Sequence, residues 1–184
     1  MAPFLTFTMF TLYLALISAT VITANDTFSQ HFATTKSTPT ATKTTRLQFY
    51  FHDIVSGKHP TAIPIIRPKN AFGTTAMVDD PLTLDTKPGP KLVGRAQGLY
   101  ALASKHDLAL LMAMNFAFTY GKYNGSTLSI MGRNPILDAV REMAIIGGSG
   151  VFRFACGYAL ASTVRNNRKT GDAVVQYNVT VMHG

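Results

Sequence analysis

The 184-residue chain has a single cysteine, no tryptophan and only 14% charged residues, nine of them acidic. One thiol, Cys156, cannot close an internal disulfide, which excludes a disulfide-stapled scaffold and a cysteine-based zinc site. The five histidines (His31, His52, His59, His106 and His183) show no paired metal-ligand spacing, so neither a metal nor another cofactor is expected. The shortage of charge, set against an ordinary 47% apolar share, excludes a chain disordered throughout. Packing and backbone pairing must therefore hold one compact domain. With so few acids the net charge is +8, but the basic residues are scattered, without the clusters or aromatic ladder of a nucleic-acid binder. A nucleic-acid partner is not expected; an acidic polysaccharide suits such a surface better.

Residues 4–24, FLTFTMFTLYLALISATVITA, contain no charged side chain and end on small residues, so residues 1–24 read as a secretory signal. The length of the run leaves an uncleaved anchor open. Residues 25–45 are rich in Thr and Ser and poor in large apolar groups, the composition of a mobile tether, and the folded domain is placed at 46–184. Three sequons, at Asn25, Asn124 and Asn178, fit passage through a secretory pathway. Asn124 falls in a turn and Asn178 on the polar face of a strand.

The domain is written in period two. In 46–53, Leu47, Phe49, Phe51 and Asp53 share one face and Arg46, Gln48, Tyr50 and His52 the other; 172–181 alternates in the same way. Further β-like runs are bounded by Ser56-Gly57, Asp79-Asp80-Pro81, Pro88-Gly89-Pro90, Asn124-Gly125, Asn134-Pro135, Gly147-Gly148-Ser149-Gly150 and Thr170-Gly171-Asp172, all read as turns. The glycine-rich 147–150 lacks the lysine and helix of a phosphate loop. Eight or nine closely spaced strands predict an all-β, eight-stranded antiparallel barrel. Residues 108–118, LALLMAMNFAF, are expected to form a strand buried on both faces, with an oligomer contact as one way to cover it.

The blocks FYFHDI, VDDPLT, LVGRAQGLY, FAFTYGKYNGSTLSIMGRNP, VREMAIIGGSGVFRFACGYA and KTGDAVVQYNVTVMH, in this order over nearly all of 46–183, resemble the plant dirigent family. The resemblance implies a barrel of allene-oxide-cyclase-like, lipocalin-like shape, secreted to the apoplast and assembled as a dimer or trimer. It also implies a phenolic substrate. In one family role an oxidase, a laccase or peroxidase, makes phenoxy radicals from monolignols such as coniferyl alcohol, and the dirigent pocket fixes how they join in lignan formation. In another, as in pterocarpan synthases, the protein itself closes a ring through a quinone methide. A non-catalytic ligand-binding barrel in the wall is a third reading. Of the three, the directing role is preferred as the family's function.

Parity puts the Asp53 carboxylate on the core face, where desolvation raises its pKa. The alternative is a strand-end aspartate that accepts amide bonds from the next turn. The resemblance favours the first, since the family's catalytic acid sits in this F-H-D-I block. By the same resemblance Arg141 is the pocket arginine that anchors a phenolate, against the base rate that most arginines are solvated. Tyr100 matches a pocket tyrosine. Asn134 stands where lignan-forming members carry a second aspartate; it can orient a phenol but cannot deliver a proton. Asp138 is either a substitute carboxyl or a surface turn acid. Leu102 replaces a second tyrosine. Phe152, Phe154 and Tyr158 share strand parity with Cys156 and are candidate aromatic walls, Phe154 foremost for substrate binding, with core packing as the alternative. Cys156, at a position where the family commonly has arginine, is expected to be a small buried residue.

Overall fold

The computed structural model describes residues 42–87 and 91–184. Nine strands follow in chain order: β1 (Lys43–Asp53), β2 (Ala62–Ile66), β3 (Thr75–Thr83), β4 (Leu92–Leu102), β5 (Ala109–Phe118), β6 (Thr127–Pro135), β7 (Arg141–Ser149), β8 (Cys156–Asn166) and β9 (Ala173–His183). All pairings are antiparallel, in the order β1-β9-β8-β7-β6-β5-β4-β3-β2, and a second pairing of β1 with β3 joins the two ends. The ring so closed has eight strands; β2 is a short ninth strand laid along β3 where β1 has left it. Closure leaves β1 and β3 paired rather than exposed as edges. The leader, the Asn25 sequon and the Pro88-Gly89-Pro90 turn lie outside the described residues, and β1 starts at Lys43, three residues before the boundary drawn from alternation.

Period two fills the interior. Phe49 and Phe51 of β1, Phe116 of β5 and Tyr177 of β9 point inward and meet edge-on or stacked, with ring centroids 5.0–5.9 Å apart. Such pairs add about 0.5–1.5 kcal/mol each beyond their buried area. A second aromatic group of Phe118, Tyr123, Phe152 and His183 fills the barrel farther along. The rings at mid-barrel form a floor, so open space remains only toward the strand ends.

Three expectations are corrected. β5 is not buried on both faces: Met112, Met114, Phe116 and Phe118 point in, while Leu111 and Asn115 are exposed, so an ordinary one-sided strand accounts for its Leu and Met content. Asp79-Asp80-Pro81 is not a turn but the middle of β3; Pro81 is accommodated where β3 exchanges β2 for β1 as its neighbour. β8 begins only at Cys156, after a 3-10 turn over Gly150–Phe152, so the parity assumed across Phe152–Tyr158 does not exist. Gly98 of β4 permits one close approach. At φ +154° it lies so near β5 that a Cβ would stand 2.3 Å from the Ala113 carbonyl oxygen.

Candidate functional site

The end of β1, β4 and β6 and the start of β5, β7 and β9 surround a cavity of about 300 Å³, the low end of the roughly 300–1,000 Å³ of ordinary ligand sites. Phe51, Leu110, Met112, Val175 and Tyr177 form its apolar wall, Asp53, Tyr100, Asn134 and Arg141 its polar part, and Val55, Ile136, Leu137 and Gly171 its rim.

Asp53 is the last residue of β1, so strand parity alone turns it inward. Burial is the main cause that raises its pKa to about 6, with a smaller contribution from Asp172, while the Tyr100 hydroxyl opposes the rise. That hydroxyl stands 3.3 Å from both carboxylate oxygens, long for O–H···O and able to tighten around a ligand. The turn after β1 does not draw on Asp53. Its amides at Val55 and Ser56 donate to Asp172 Oδ1 at 3.0 and 3.1 Å, and the Ser56 hydroxyl donates to Oδ2 at 2.7 Å. The catalytic reading of Asp53 is therefore the one its surroundings favour. Burial and the neighbouring carboxylates push the Tyr100 phenol well above its ordinary pKa, so it is a hydrogen-bond donor at neutral pH.

Arg141 opens β7 and is 3% exposed. Its Nε donates to the Asn134 side-chain oxygen at 3.0 Å, and its Nη1 to the Asp138 backbone carbonyl at 3.4 Å. The two ion pairs among the described residues, Arg95–Asp79 and Arg133–Asp107, are both on the exterior. Burial lowers the Arg141 pKa, though not enough to discharge a guanidinium. Its charge has no carboxylate partner within ion-pair distance among the described residues, and an anionic oxygen in the cavity it lines would pair with it. Asp138 is not a substitute pocket acid: its side chain is exposed, and it reaches Arg141 through backbone and long-range charge alone.

Other candidates fall elsewhere. Phe154 is 90% exposed at φ +60°, outside the cavity. Phe152 packs in the second aromatic group, Tyr158 faces outward, and Cys156 is exposed rather than buried. Leu102 borders a larger groove of about 650 Å³ beside the cavity mouth, where Lys105, His106 and Asp107 are solvated. Asn124 and Asn178 are exposed, as glycan acceptors must be.

Two residues of the polar region were missed. Tyr177 shares the inward parity of β9, a signal present in the sequence. Asp80 was hidden by its reading as turn chemistry. It is wholly buried, accepts a hydrogen bond from the Thr61 hydroxyl, and has its pKa raised to about 7, chiefly by burial.

The fold is thus a closed antiparallel barrel with a plugged middle and, toward one end, a small cavity that is acidic on one side and cationic on the other. Comparison with known proteins refines this class. A family model described as Dirigent-like protein matches residues 44–182, and the chain belongs to the dirigent family. It is 48% identical to dirigent protein 21 of Arabidopsis thaliana, over 94% of each chain. It is also 48% identical to pterocarpan synthase 1 of Glycyrrhiza echinata, over 77% of this chain and 79% of that one. Among solved structures, a pterocarpan synthase dirigent protein superposes with TM-score 0.76 at 46% identity, covering 85% of this chain and 98% of the other.

Proposed function

We propose that this chain directs the stereochemistry of a phenolic substrate that passes through a quinone methide, and that it does so by dehydrating ring closure. The observation that carries the reading is the pairing of a buried carboxyl, Asp53, held against the Tyr100 hydroxyl, with a buried cation that lacks a carboxylate, Arg141, in one cavity sized for a small molecule. Arg141 stabilises the phenolate oxygen of the substrate. Protonated Asp53 delivers its proton to a benzylic hydroxyl, the C–O bond breaks and water leaves, and the phenolate electron pair moves in to give the quinone methide. A second hydroxyl of the same molecule then adds to the benzylic carbon, and its proton returns to Asp53. The net change is loss of one water, with no oxidant. Tyr100 orients the carboxyl, and the rigid aromatic wall presents one face of the intermediate, which is positional catalysis. The similarity to pterocarpan synthases supports this order of preference over radical coupling.

Incubation with an isoflavanol that carries a benzylic hydroxyl and a free phenol tests the reading. Enantioselective water loss is expected, slowed at least about 10²-fold by Asp53→Asn. Unimpaired turnover by that variant would refute the assigned acid.

A second reading is supported by the presence of two polar anchors, Asp53–Tyr100 and Arg141–Asn134, one for each of two phenols. In this reading the chain steers the coupling of phenoxy radicals made by a laccase or peroxidase. Coniferyl alcohol with a non-selective one-electron oxidant then yields an optically active product, and a racemic one excludes it for that substrate. The proposed setting is the apoplast, reached by the leader and with glycans at the sequons. Self-association through exposed Leu111, Met131 and Ile146 on adjacent β5, β6 and β7 is part of the same proposal, tested by sedimentation. So is contact of the +8 surface with acidic polysaccharide, tested by retention on polygalacturonate at low salt.

A further inference from the structure

Asp80 lies where β3 changes neighbours. The β1–β3 register pairs Tyr50 with Thr83 and Phe51 with Leu82; carried two residues further, it sets Asp53 across from Asp80. There β1 turns away, and β2 takes its place from Ala62, opposite Val78. The Asp80 side chain occupies this junction, fully sealed from solvent. Its Oδ1 accepts from the Thr61 hydroxyl, the Ile54 amide at the end of β1 gives it a weaker backbone contact, and its Oδ2 has no well-formed hydrogen bond among the described residues. Asp80 does not line the cavity, so it reaches a ligand only through its neighbours.

A turn-anchoring aspartate would use both oxygens, as Asp172 does with Val55, Ser56 and Thr170. An ionised carboxylate with a bare oxygen in a sealed site is costly; a protonated one is not. We propose that Asp80 is the second carboxyl of a coupled pair with Asp53, a positioning residue that holds the pair's remaining proton so that Asp53 can give up its own and recover it. The inference rests on the ring-closure reading for its catalytic meaning, but the pairing itself stands on the geometry.

The charged and titratable groups around the pair are few. Asp53 on β1 and Tyr100 on β4 face it from the cavity side, with Tyr177 on β9 beyond them. Asp172, from the turn before β9, acts on Asp53; Arg95, on the outside of β4, acts on Asp80 and is itself paired with Asp79. Arg141 acts on Tyr177. Inside the barrel, then, no cation among the described residues neutralises both carboxylates. Asp53 ionises first, and its charge then adds to the burial that raises the pKa of Asp80, so the pair carries close to one negative charge between about pH 6 and pH 7.

The test is a pH titration of the protein labelled with ¹³C at the aspartate carboxyl, followed by NMR without substrate. Two carboxyls that titrate well above the ordinary aspartate range are expected in the unaltered protein. Asp53→Asn should remove the lower titration and move the upper one down by about one unit, the size of a coupled pair's interaction. Thr61→Val, which keeps both carboxyls but removes the hydroxyl donor to Asp80, should move the upper titration further up and leave the lower one in place. Asp80→Asn, where it folds, should leave a single high titration. An upper titration unmoved by Asp53→Asn, or only one high titration in the unaltered protein, would overturn the pairing. If the pairing holds, the isoflavanol assay gives its role. Narrowing of the pH–rate profile by Thr61→Val supports it, and an unchanged profile reduces Asp80 to a structural group. Absence of all turnover in the unaltered protein would count against the ring-closure reading, with the titrations unaffected.

Discussion

Asp53 makes stability depend on pH in a direction opposite to that of most surface aspartates. Its folded pKa of about 6 lies above the 3.8 of the unfolded chain, so between those values the folded state binds the extra proton. The stability it confers is complete below the unfolded pKa and is lost as pH rises through the folded one. Integrated from about pH 4.5 to about pH 7.5, this loss is about 2 kcal/mol for Asp53 alone. Asp80, raised to about 7, adds about 3 kcal/mol in the same direction, partly shared through the coupling. His52 opposes them. It is buried with its pKa lowered by desolvation, so it favours the unfolded state at low pH and regains stability as pH rises toward 6.5. Asp79, Asp85, Asp107 and Asp172, all lowered, act below the unfolded aspartate pKa and outside this window. The measurement is therefore a difference between chains: thermal or urea melts of the unaltered protein and of Asp53→Asn at both pH values. The variant should lose less stability than the unaltered protein by about 2–3 kcal/mol, the upper figure including the relief of Asp80, roughly 5–10 °C in Tm for a domain of this size. Parallel pH dependences in the two proteins would mean that Asp53 is not held protonated by burial, and the general-acid assignment would fall with it.

Gly98→Ala should destabilise the barrel by about 1–3 kcal/mol in denaturant melts, since the added Cβ meets β5 backbone rather than a movable side chain. A loss below about 0.5 kcal/mol would show that β4 and β5 are not so closely set. Asn134→Asp should give Arg141 a carboxylate partner at 3.0 Å and reduce the affinity for a phenolate-forming ligand about 10-fold or more, read by calorimetry above the ligand's pKa. Equal or tighter binding would refute Arg141 as the anion anchor.

The barrel was legible because period-two alternation in β1 and β9 survives a fold in which one face of each strand packs inward and the other faces out. The inward placement of Asp53 followed from the same count. What the sequence concealed lay where strand chemistry imitates turn chemistry. Asp79-Asp80-Pro81 has the composition of a turn, and only the exchange of β1 for β2 along β3 explains why proline is accepted inside that strand. Phe154 and Cys156 were misplaced for the converse reason. The 3-10 turn at Gly150–Phe152 breaks the alternation, and β8, starting only at Cys156, turns Cys156 and Tyr158 to the outside. Arg141 and Asn134 are seven positions apart in sequence, across the β6–β7 connection, and neither composition nor spacing marks their bond.

That bond gives the amide at position 134 a definite chemical consequence. A carboxylate there would neutralise Arg141 within the protein and offer a second proton donor; the amide does neither. Acid chemistry is left to the Asp53 side, and Arg141, the one buried lysine or arginine among the described residues, is left for the ligand. One acid and one cation suffice for a substrate that loses water and closes on itself, because the same carboxyl that releases the hydroxyl receives the proton of the incoming one. Two phenols that couple and then each cyclise generate two quinone methides, and each must be protonated and closed. The asymmetry of this cavity thus favours an intramolecular reaction, and restoring the carboxylate with Asn134→Asp should shift the balance toward the coupling of two phenols while weakening the hold on one.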